Sequence, residues 1–273
     1  MTVRLGAVGY LNARPLVYGL ENDPRFQVRY DIPSECSRLL HAHEIDLGLV
    51  PTIEYLRGRK PSYIFVPGPA VTSRGRVRSV AIYTRRDPRD IRTMAMDTSS
   101  RTSVALSTII MRRMFDVSLT AVPMVPDLDA MLAAADAALI IGDNALFLDA
   151  TPEIQKIDLG EAWFTMTGLP FVYAFWAGWP RAAMPENVKA LQLARDAGVR
   201  DSDRIAETYY RDDPSRQAVA RQYLRDNIRY YLGHEELEGL QAFFRYADEL
   251  NLAEYDGHLR FYHAEHHGAD RQG

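Results

Sequence analysis

The 273-residue sequence has little of three features that would each assign a class of protein: cysteine, long apolar runs and positive charge. Its single cysteine, Cys36, cannot form an intrachain disulfide, and residues 33–38 place no histidine or second cysteine beside it as a metal ligand. The apolar runs are short, as at 137–141, whereas a membrane-spanning helix needs roughly 18 to 20 residues. The formal net charge is −4, so we expect neither a nucleic-acid partner nor a membrane partner.

Signals for export, metal binding and nucleotide binding are also missing. Residues 3–8 begin directly with strand-like alternation, without the basic and apolar segments of an export signal, so we expect a cytoplasmic protein. His263, His266 and His267 lie in a polar tail without a distant cysteine partner, and we expect no metal. Neither a glycine-rich nucleotide loop nor a Gly-x-Ser-x-Gly elbow occurs, and we expect no cofactor.

The pattern that is present alternates short strands with helices. Strand-like runs at 3–8, 26–32, 46–50 and 62–66 are separated by helix-like stretches, which is the βαβ pattern of a parallel sheet. A second unit with the same alternation follows, and the chain becomes helical towards its carboxyl end. The sequence therefore predicts an α/β fold.

Two extended stretches, 78–84 and 171–179, join the two units. We therefore predict two lobes around a central cleft, with lobe 1 formed by residues 1–84 and 177–273 and lobe 2 by residues 85–176. In open α/β sheets, ligands bind beyond the carboxyl ends of the strands, where helix N-termini favour negative charge. The predicted ligand is a small anion.

The first loop, residues 9–16, brings Asn12 to the edge of the predicted cleft. Asn12 either caps the helix that follows or presents its amide to a ligand. The pattern alone favours the cap, because asparagine is a common residue at that place.

A hydroxyl-rich segment stands between a predicted strand and a long apolar helix. Its residues are Thr98, Ser99, Ser100, Arg101, Thr102 and Ser103. Hydroxyl donors, the N–H groups of a helix start and a guanidinium can together hold a carboxylate or phosphate. A helix cap with a solvated arginine is the alternative, but five hydroxyls exceed what a cap requires, so we interpret the segment as a substrate-binding one.

Two later segments also follow or precede strands of the predicted cleft. Gly142 and Asp143 end a buried strand, where Asp143 either faces the cleft or, more commonly, caps the next helix. Gly168, Pro170 and Phe171 form a rigid turn whose apolar surface either lines the cleft or packs in the core.

Four segments taken together carry a family resemblance. They are residues 10–16 (Tyr-Leu-Asn-Ala-Arg-Pro-Leu), 99–104 (Ser-Ser-Arg-Thr-Ser-Val), 141–143 (Ile-Gly-Asp) and 167–172 (Thr-Gly-Leu-Pro-Phe-Val). In this order they resemble the chorismate dehydratase family of the futalosine route to menaquinone. The resemblance implies a type II periplasmic-binding-protein-like fold that serves as a cytoplasmic lyase. The implied reaction converts chorismate, a small dicarboxylate, to 3-[(1-carboxyvinyl)oxy]benzoate without a cofactor.

The resemblance also implies roles for particular residues. Asn12 and Ser79 match family residues that matter for turnover, and Thr52 is a further cleft hydroxyl at a helix start. On this basis residues 99–103 bind one carboxylate, while Asn12 and Ser79 orient the substrate and assist departure of its C4 hydroxyl. The general base is either Asp143 or the enolpyruvyl carboxylate of the substrate itself.

Two other functions stay open from the sequence. The related 1,4-dihydroxy-6-naphthoate synthases share the implied fold, but their family has a histidine where this chain has Gly142 and Asp143. A non-catalytic protein that binds or senses a small anion is the second alternative, because the same fold captures ligands without turnover in many relatives.

Overall fold

The computed structural model describes residues 2–58, 63–97, 101–149 and 151–262. The strands are β1 Val3–Val8, β2 Phe26–Asp31, β3 Leu47–Pro51, β4 Ile64–Ser73, β5 Val80–Thr84, β6 Thr93–Asp97, β7 Thr120–Met124, β8 Ala137–Ile141, β9 Gln155–Asp158, β10 Phe171–Gly178 and β11 Arg229–Tyr231. The α-helices are α1 Arg14–Val17, α2 Pro33–His41, α3 Glu54–Arg57, α4 Arg101–Phe115, α5 Leu128–Ala134, α6 Gly142–Leu146, α7 Leu159–Thr167, α8 Pro185–Arg200, α9 Ser202–Tyr209, α10 Pro214–Gln222 and α11 His234–Glu249. Short 3-10 turns occur at Leu11–Ala13, Leu20–Asn22 and Pro88–Asp90, and a π-helix occurs at Tyr223–Asn227.

The strands form two sheets, and each sheet contains parallel pairs. The order in the six-stranded sheet is β11-β4-β10-β3-β1-β2, and the order in the five-stranded sheet is β7-β6-β8-β5-β9. β1 runs parallel to β2 and β3, and β6 runs parallel to β7 and β8. The predicted α/β class with parallel strand pairs is therefore confirmed.

The connections between the two sheets run through residues 74–79 and 168–170. β5 and β10 were expected to cross between lobes, but β5 lies within the five-stranded sheet and β10 lies within the six-stranded one. We propose that the lobes follow the sheets. Their boundaries then move from 84/85 and 176/177 to these two connections.

Local geometry changes three predicted elements. The helix-like stretch after the first strand is interrupted beyond Val17, because Gly19 adopts a positive φ of 78°, a conformation that glycine tolerates. The predicted strand over 62–66 extends as β4 to Ser73, and its pairing with β10 skips residues 66–69, where two prolines cannot donate to the ladder. The helical part predicted towards the carboxyl end is interrupted, because α10 gives way to the π-helix and to the short strand β11.

Helix α4 shows how the sequence period fixes an element next to the cavity described below. Its buried side chains include Ala105, Leu106, Ile109 and Ile110, which recur at helical spacing and face β8, α7 and α11. Burial of each large aliphatic side chain contributes about 1.5 to 3 kcal/mol, so this face determines how the helix docks. Within the described ranges, no helix combines the length and the apolarity that a membrane span requires.

Candidate active site

A cavity of about 60 Å³ lies at the contact between the two sheets. Val8 ends β1 and Ile141 ends β8, and both residues line the cavity. The cavity therefore lies at the carboxyl ends of strands from both sheets, which is where α/β proteins bind ligands. Its polar lining side chains are Tyr10, Asn12, Ser79, Ser103 and Tyr173. An apolar surface with a few polar groups is typical of small-molecule sites.

Two of the predicted catalytic residues, Asn12 and Ser79, meet at this cavity. Ser79 belongs to the connection between the sheets and is 1% exposed. Its Oγ lies 2.6 Å from the hydroxyl of Tyr223. Burial raises the pKa of Tyr223 well above its ordinary value, and the neighbouring side chains of Ser79 and Asn12 lower it by less, so the phenol stays neutral.

The interpretation of Asn12 as a helix cap is wrong. Asn12 lies inside the 3-10 turn Leu11–Ala13, and neither Tyr10 nor Ala13, which precede the 3-10 turn and α1, is a side-chain cap. The turn follows β1 directly, and it holds the amide of Asn12 at the cavity rather than at a helix end.

Asp143 also departs from the commoner expectation, because it does not cap its own helix. The residue before α6 is Ile141, and no side chain caps that helix. One carboxylate oxygen of Asp143 accepts the backbone N–H of Leu11 at 3.3 Å, and the other accepts the hydroxyl of Tyr209 at 2.6 Å. Asp143 is half-buried and is not among the cavity-lining residues. It therefore joins the end of β8 to the loop after β1.

The environment of Asp143 favours the protonated form more than water does. Burial raises its pKa above the ordinary value, and the hydrogen bonds from Tyr209 and Leu11 together with the positive charge of Arg14 offset only part of that rise. The guanidinium of Arg14 itself lies 4.3 Å from the ring centre of Tyr30 and 5.2 Å from that of Tyr209.

Gly142 lines the cavity at a position where a larger residue would clash with Tyr10. Its φ is 64°, and a β-carbon at this position would stand 3.1 Å from Cε2 of Tyr10. Its backbone N–H donates to the carbonyl of Ser79 at 2.7 Å, which ties β8 to the connection between the sheets. Glycine thus allows the ring of Tyr10 to approach the end of β8 closely.

The hydroxyl-rich segment is only partly at the cavity. Ser103 lines it, whereas the buried hydroxyl of Thr102 accepts the backbone N–H of Ile53 at 3.1 Å. Arg101 does not reach the cavity, because its guanidinium donates to Glu54 at 3.1 Å. The predicted binding residues Ser99 and Ser100 lie outside the described residues.

Glu54 contacts three basic side chains near the start of α4. Its side chain is 0% exposed, and it contacts His41 at 3.1 Å, Arg57 at 3.2 Å and Arg101 at 3.1 Å. Burial raises the pKa of Glu54, but the hydrogen bond from His41 and the charges of Arg101 and Arg57 outweigh burial, and the net shift is downward. Glu54 and Arg101 therefore form an ion pair between the six-stranded and five-stranded parts of the fold.

Four other predicted binding residues have structural partners away from the cavity. The hydroxyl of Thr52 donates to the carbonyl of Val172 at 2.8 Å. Gly168 is exposed at the end of α7 with a φ of 71°. The carbonyl of Pro170 accepts the indole N–H of Trp163, and the ring of Phe171 packs against that of Trp163. None of the four lines the cavity, and for Gly168, Pro170 and Phe171 the core-packing and turn interpretations fit the structure.

The sequence interpretation missed four tyrosines of this region. Tyr10 and Tyr173 line the cavity, Tyr209 binds Asp143, and Tyr223 binds Ser79. Tyr10 is the first residue of the motif over 10–16, and Tyr173 follows the motif over 167–172 directly, but neither motif indicates a role for its tyrosine. Tyr209 and Tyr223 belong to the carboxyl-terminal helical part, where nothing in the local pattern indicates a contact with the first loop.

The cavity can orient a small anion by hydrogen bonds, but none of its described lining side chains carries a charge. Among the described lining residues there is no histidine, lysine, aspartate or glutamate. Ser103 stands in the first turn of α4, where the helix N-terminus favours negative charge. In the part of the chain that the structure describes, no group of three or more histidine, cysteine, aspartate or glutamate side chains is placed to hold a metal ion.

Sequence comparison gives this site a family context. The profile of a family described as menaquinone biosynthesis matches residues 3–249. A chorismate dehydratase of Thermus thermophilus is 31% identical over 268 residues, and the match covers 91% of this chain and 95% of the relative.

Structural comparison agrees on the architecture. A crystal structure of a protein from Archaeoglobus fulgidus superposes with a TM-score of 0.74 at 13% identity, covering 92% of this chain and 98% of that one. The periplasmic aliphatic sulphonate binding protein of Escherichia coli superposes with a TM-score of 0.64 at 12% identity, covering 100% of this chain and 95% of that one. The predicted periplasmic-binding-protein-like fold is confirmed.

Proposed function

This chain belongs to the menaquinone biosynthesis family that includes chorismate dehydratases, and we propose that it removes water from chorismate to form 3-[(1-carboxyvinyl)oxy]benzoate. The observation that carries the proposal is the meeting of Asn12 and Ser79 at a cavity between the two sheets. The family resemblance implies a role in turnover for both residues, and they come from different parts of the fold.

The reaction breaks the bond from ring carbon C3 to hydrogen and the bond from C4 to the hydroxyl oxygen. A base takes the C3 proton, the electron pair moves through the adjacent double bond towards the ring carboxylate, and the C4 hydroxyl then leaves as water. Loss of the two groups makes the ring aromatic, which provides the driving force. Fixed hydrogen-bond donors at the ring carboxylate stabilise the charge that develops there.

The cavity offers donors of this kind. We assign Ser103, with the N-terminus of α4, to one substrate carboxylate. Ser79 and Asn12 then donate hydrogen bonds to the C4 hydroxyl and hold the ring in place. This assignment reduces the predicted carboxylate site from residues 99–103 to its described cavity-lining member.

The environment of the cavity favours the substrate carboxylate as the base. The described lining residues include no ionisable base other than tyrosine, and both oxygens of Asp143 already accept hydrogen bonds. The enolpyruvyl group is joined to C3 through its ether oxygen, so its carboxylate can take the C3 proton and return it to the departing hydroxyl. We therefore assign Asp143 to the contact between the lobes.

The cavity must enlarge for this reaction to occur. Its volume of about 60 Å³ is well below the roughly 300 to 1,000 Å³ of typical small-molecule sites. We propose that the lobes part along the two connections, 74–79 and 168–170, admit chorismate, and close around it. Closure excludes water and strengthens the hydrogen bonds to the ring carboxylate.

The deciding experiment incubates the purified protein with chorismate, without metal or nucleotide, and follows the product by chromatography and mass spectrometry. We expect product from the native protein and, for Ser79→Ala, a kcat/KM lower by about 100-fold. Chorismate binding without any product would instead support an anion-binding or sensing protein. Activity on the cyclic futalosine derivative alone would support the 1,4-dihydroxy-6-naphthoate synthase alternative.

The expected cytoplasmic location stays a prediction. Fractionation of cells that express the native gene, with detection of the protein in each fraction, tests it. Recovery of the protein outside the cytoplasmic fraction contradicts the prediction.

A further inference from the structure

Tyr223 is a buried tyrosine that lies directly behind the cavity. It begins the π-helix Tyr223–Asn227 directly after α10, and it is 1% exposed. Its hydroxyl lies 2.6 Å from Oγ of Ser79, and the side chain of Asn12 is near enough to lower the pKa of the phenol. A π-helical turn often marks a functional site, because it places a side chain that an α-helix would turn elsewhere.

The three side chains come from three separate parts of the fold. Asn12 follows β1, Ser79 belongs to the connection between the sheets, and Tyr223 belongs to the carboxyl-terminal helices. Asn12 and Ser79 line the cavity, whereas Tyr223 stands behind them and does not. Tyr223 is thus placed to act on the orientation of the two lining side chains rather than on the substrate.

The need of a buried hydroxyl for a hydrogen-bond partner does not by itself explain why Tyr223 contacts Ser79. Nearby Tyr230 is 2% exposed, and its hydroxyl has no hydrogen-bond partner among the described residues. The fold therefore leaves the buried hydroxyl of Tyr230 unpaired, while it brings the hydroxyl of Tyr223 to hydrogen-bonding distance of the lining residue Ser79.

Proton counting decides what Tyr223 contributes. A serine hydroxyl has one proton, and if Ser79 gives it to Tyr223, none is left for the cavity. If the Asn12 amide donates to the Tyr223 oxygen, the Tyr223 proton is left for Ser79 Oγ. The Ser79 proton is then free to point into the cavity.

We propose that Tyr223 is a positioning residue, which donates its proton to Ser79 and accepts one from Asn12, so that the Ser79 hydroxyl donates to the C4 hydroxyl of the substrate. The proposal rests on the function proposed above. Because burial raises the pKa of the phenol, Tyr223 keeps its proton across the neutral range and the orientation persists there.

A double-mutant cycle tests this role. We expect Tyr223→Phe to lower kcat on the order of 10- to 100-fold with little change in KM, because a misdirected donor affects the reaction more than substrate binding. We expect Tyr223→Phe to have no further effect in a Ser79→Ala background, because the tyrosine then has no hydroxyl to orient. Tyr230→Phe, which removes an unpaired hydroxyl, is the matched control and should keep the native kcat.

The outcomes separate this proposal from the proposed function. Full activity of Ser79→Ala contradicts the site assignment itself. A large effect of Ser79→Ala together with a native kcat for Tyr223→Phe, or with independent effects of the two changes, overturns only the role of Tyr223.

A second measurement does not depend on the folding of Tyr223→Phe. Site-specific 3,5-difluorotyrosine at position 223 keeps the ring and the hydroxyl but ionises at lower pH. We expect its kcat to fall as pH rises through that ionisation, whereas the kcat of the unmodified protein stays level. Identical pH profiles for the two proteins overturn the proposal.

Discussion

One carboxylate oxygen of Asp143 accepts the backbone N–H of Leu11 at 3.3 Å, and the two residues follow strands of different sheets, β8 and β1. Leu11 opens the turn that carries Asn12, and Asp143 stands in the first turn of α6 after β8. The contact therefore fixes one wall of the cavity relative to the other. Tyr209 supports it with a hydrogen bond to the second oxygen at 2.6 Å.

Asp143→Asn separates a base from a structural contact. The amide keeps one acceptor oxygen for Leu11 or Tyr209 but places a donor at the other, so we expect a loss of about 1 to 2 kcal/mol in the free energy of unfolding. We expect kcat to fall less than about 10-fold, because the proton goes elsewhere. Urea denaturation and steady-state kinetics with chorismate measure both quantities. A folded variant slower by about a thousandfold or more contradicts our assignment of the base.

Gly142→Ala tests the close approach of Tyr10. The alanine would have to adopt a positive φ, and its β-carbon would press against the ring of Tyr10. We therefore expect a stability loss of about 1 to 3 kcal/mol and a higher KM for chorismate. Gly168→Ala is the matched control, because Gly168 has a similar φ of 71° but no atom within 4 Å of its β-carbon. The control should lose stability with no change in KM. A raised KM in both variants speaks for a direct role of the 168–171 turn.

Glu54→Gln tests the buried ion pairs by their dependence on pH. The pKa of Glu54 is lower in the folded protein than the ordinary value of 4.5, so ionised Glu54 stabilises the fold above that pH. The contribution is lost as the pH falls through the folded-state pKa. We expect the variant to be less stable by roughly 1 to 3 kcal/mol near pH 7, because its arginine partners are partly exposed.

The same experiment in acid provides the contrast for Glu54→Gln. The two proteins should approach equal stability below the folded-state pKa, where the native carboxyl is also uncharged. Thermal unfolding of both proteins across a pH series measures the difference. A gap that is constant with pH shows that the charge of Glu54 is not its source.

The sequence predicted best those features that repeat over a few residues. The strands at β1, β6 and β8 follow from apolar runs with turn residues at their ends, and α4 follows from its helical period. The turn at Asn12 was predicted to be at the cavity edge because it follows β1 directly. Local pattern is sufficient for such elements because neighbours in sequence decide them.

Partners of polar side chains could not be predicted in the same way. Thr52 and Thr102 have hydroxyls suited to a ligand, but each hydroxyl is used by a distant backbone group that no local pattern indicates. The guanidinium of Arg101 is suited to bind a substrate carboxylate, but it binds the carboxylate of Glu54 instead. Choosing between a substrate and an internal partner requires the long-range arrangement of the chain.

The position of β10 sets the order in which the protein can assemble during synthesis. β10 lies between β3 and β4, so the sheet that begins with β1 stays divided until residues 171–178 have been made. The other sheet uses the continuous stretch from β5 to β9 and can pair its strands earlier. Since chains fold as they emerge from the ribosome, the lobe that starts last in sequence is the one that can finish first.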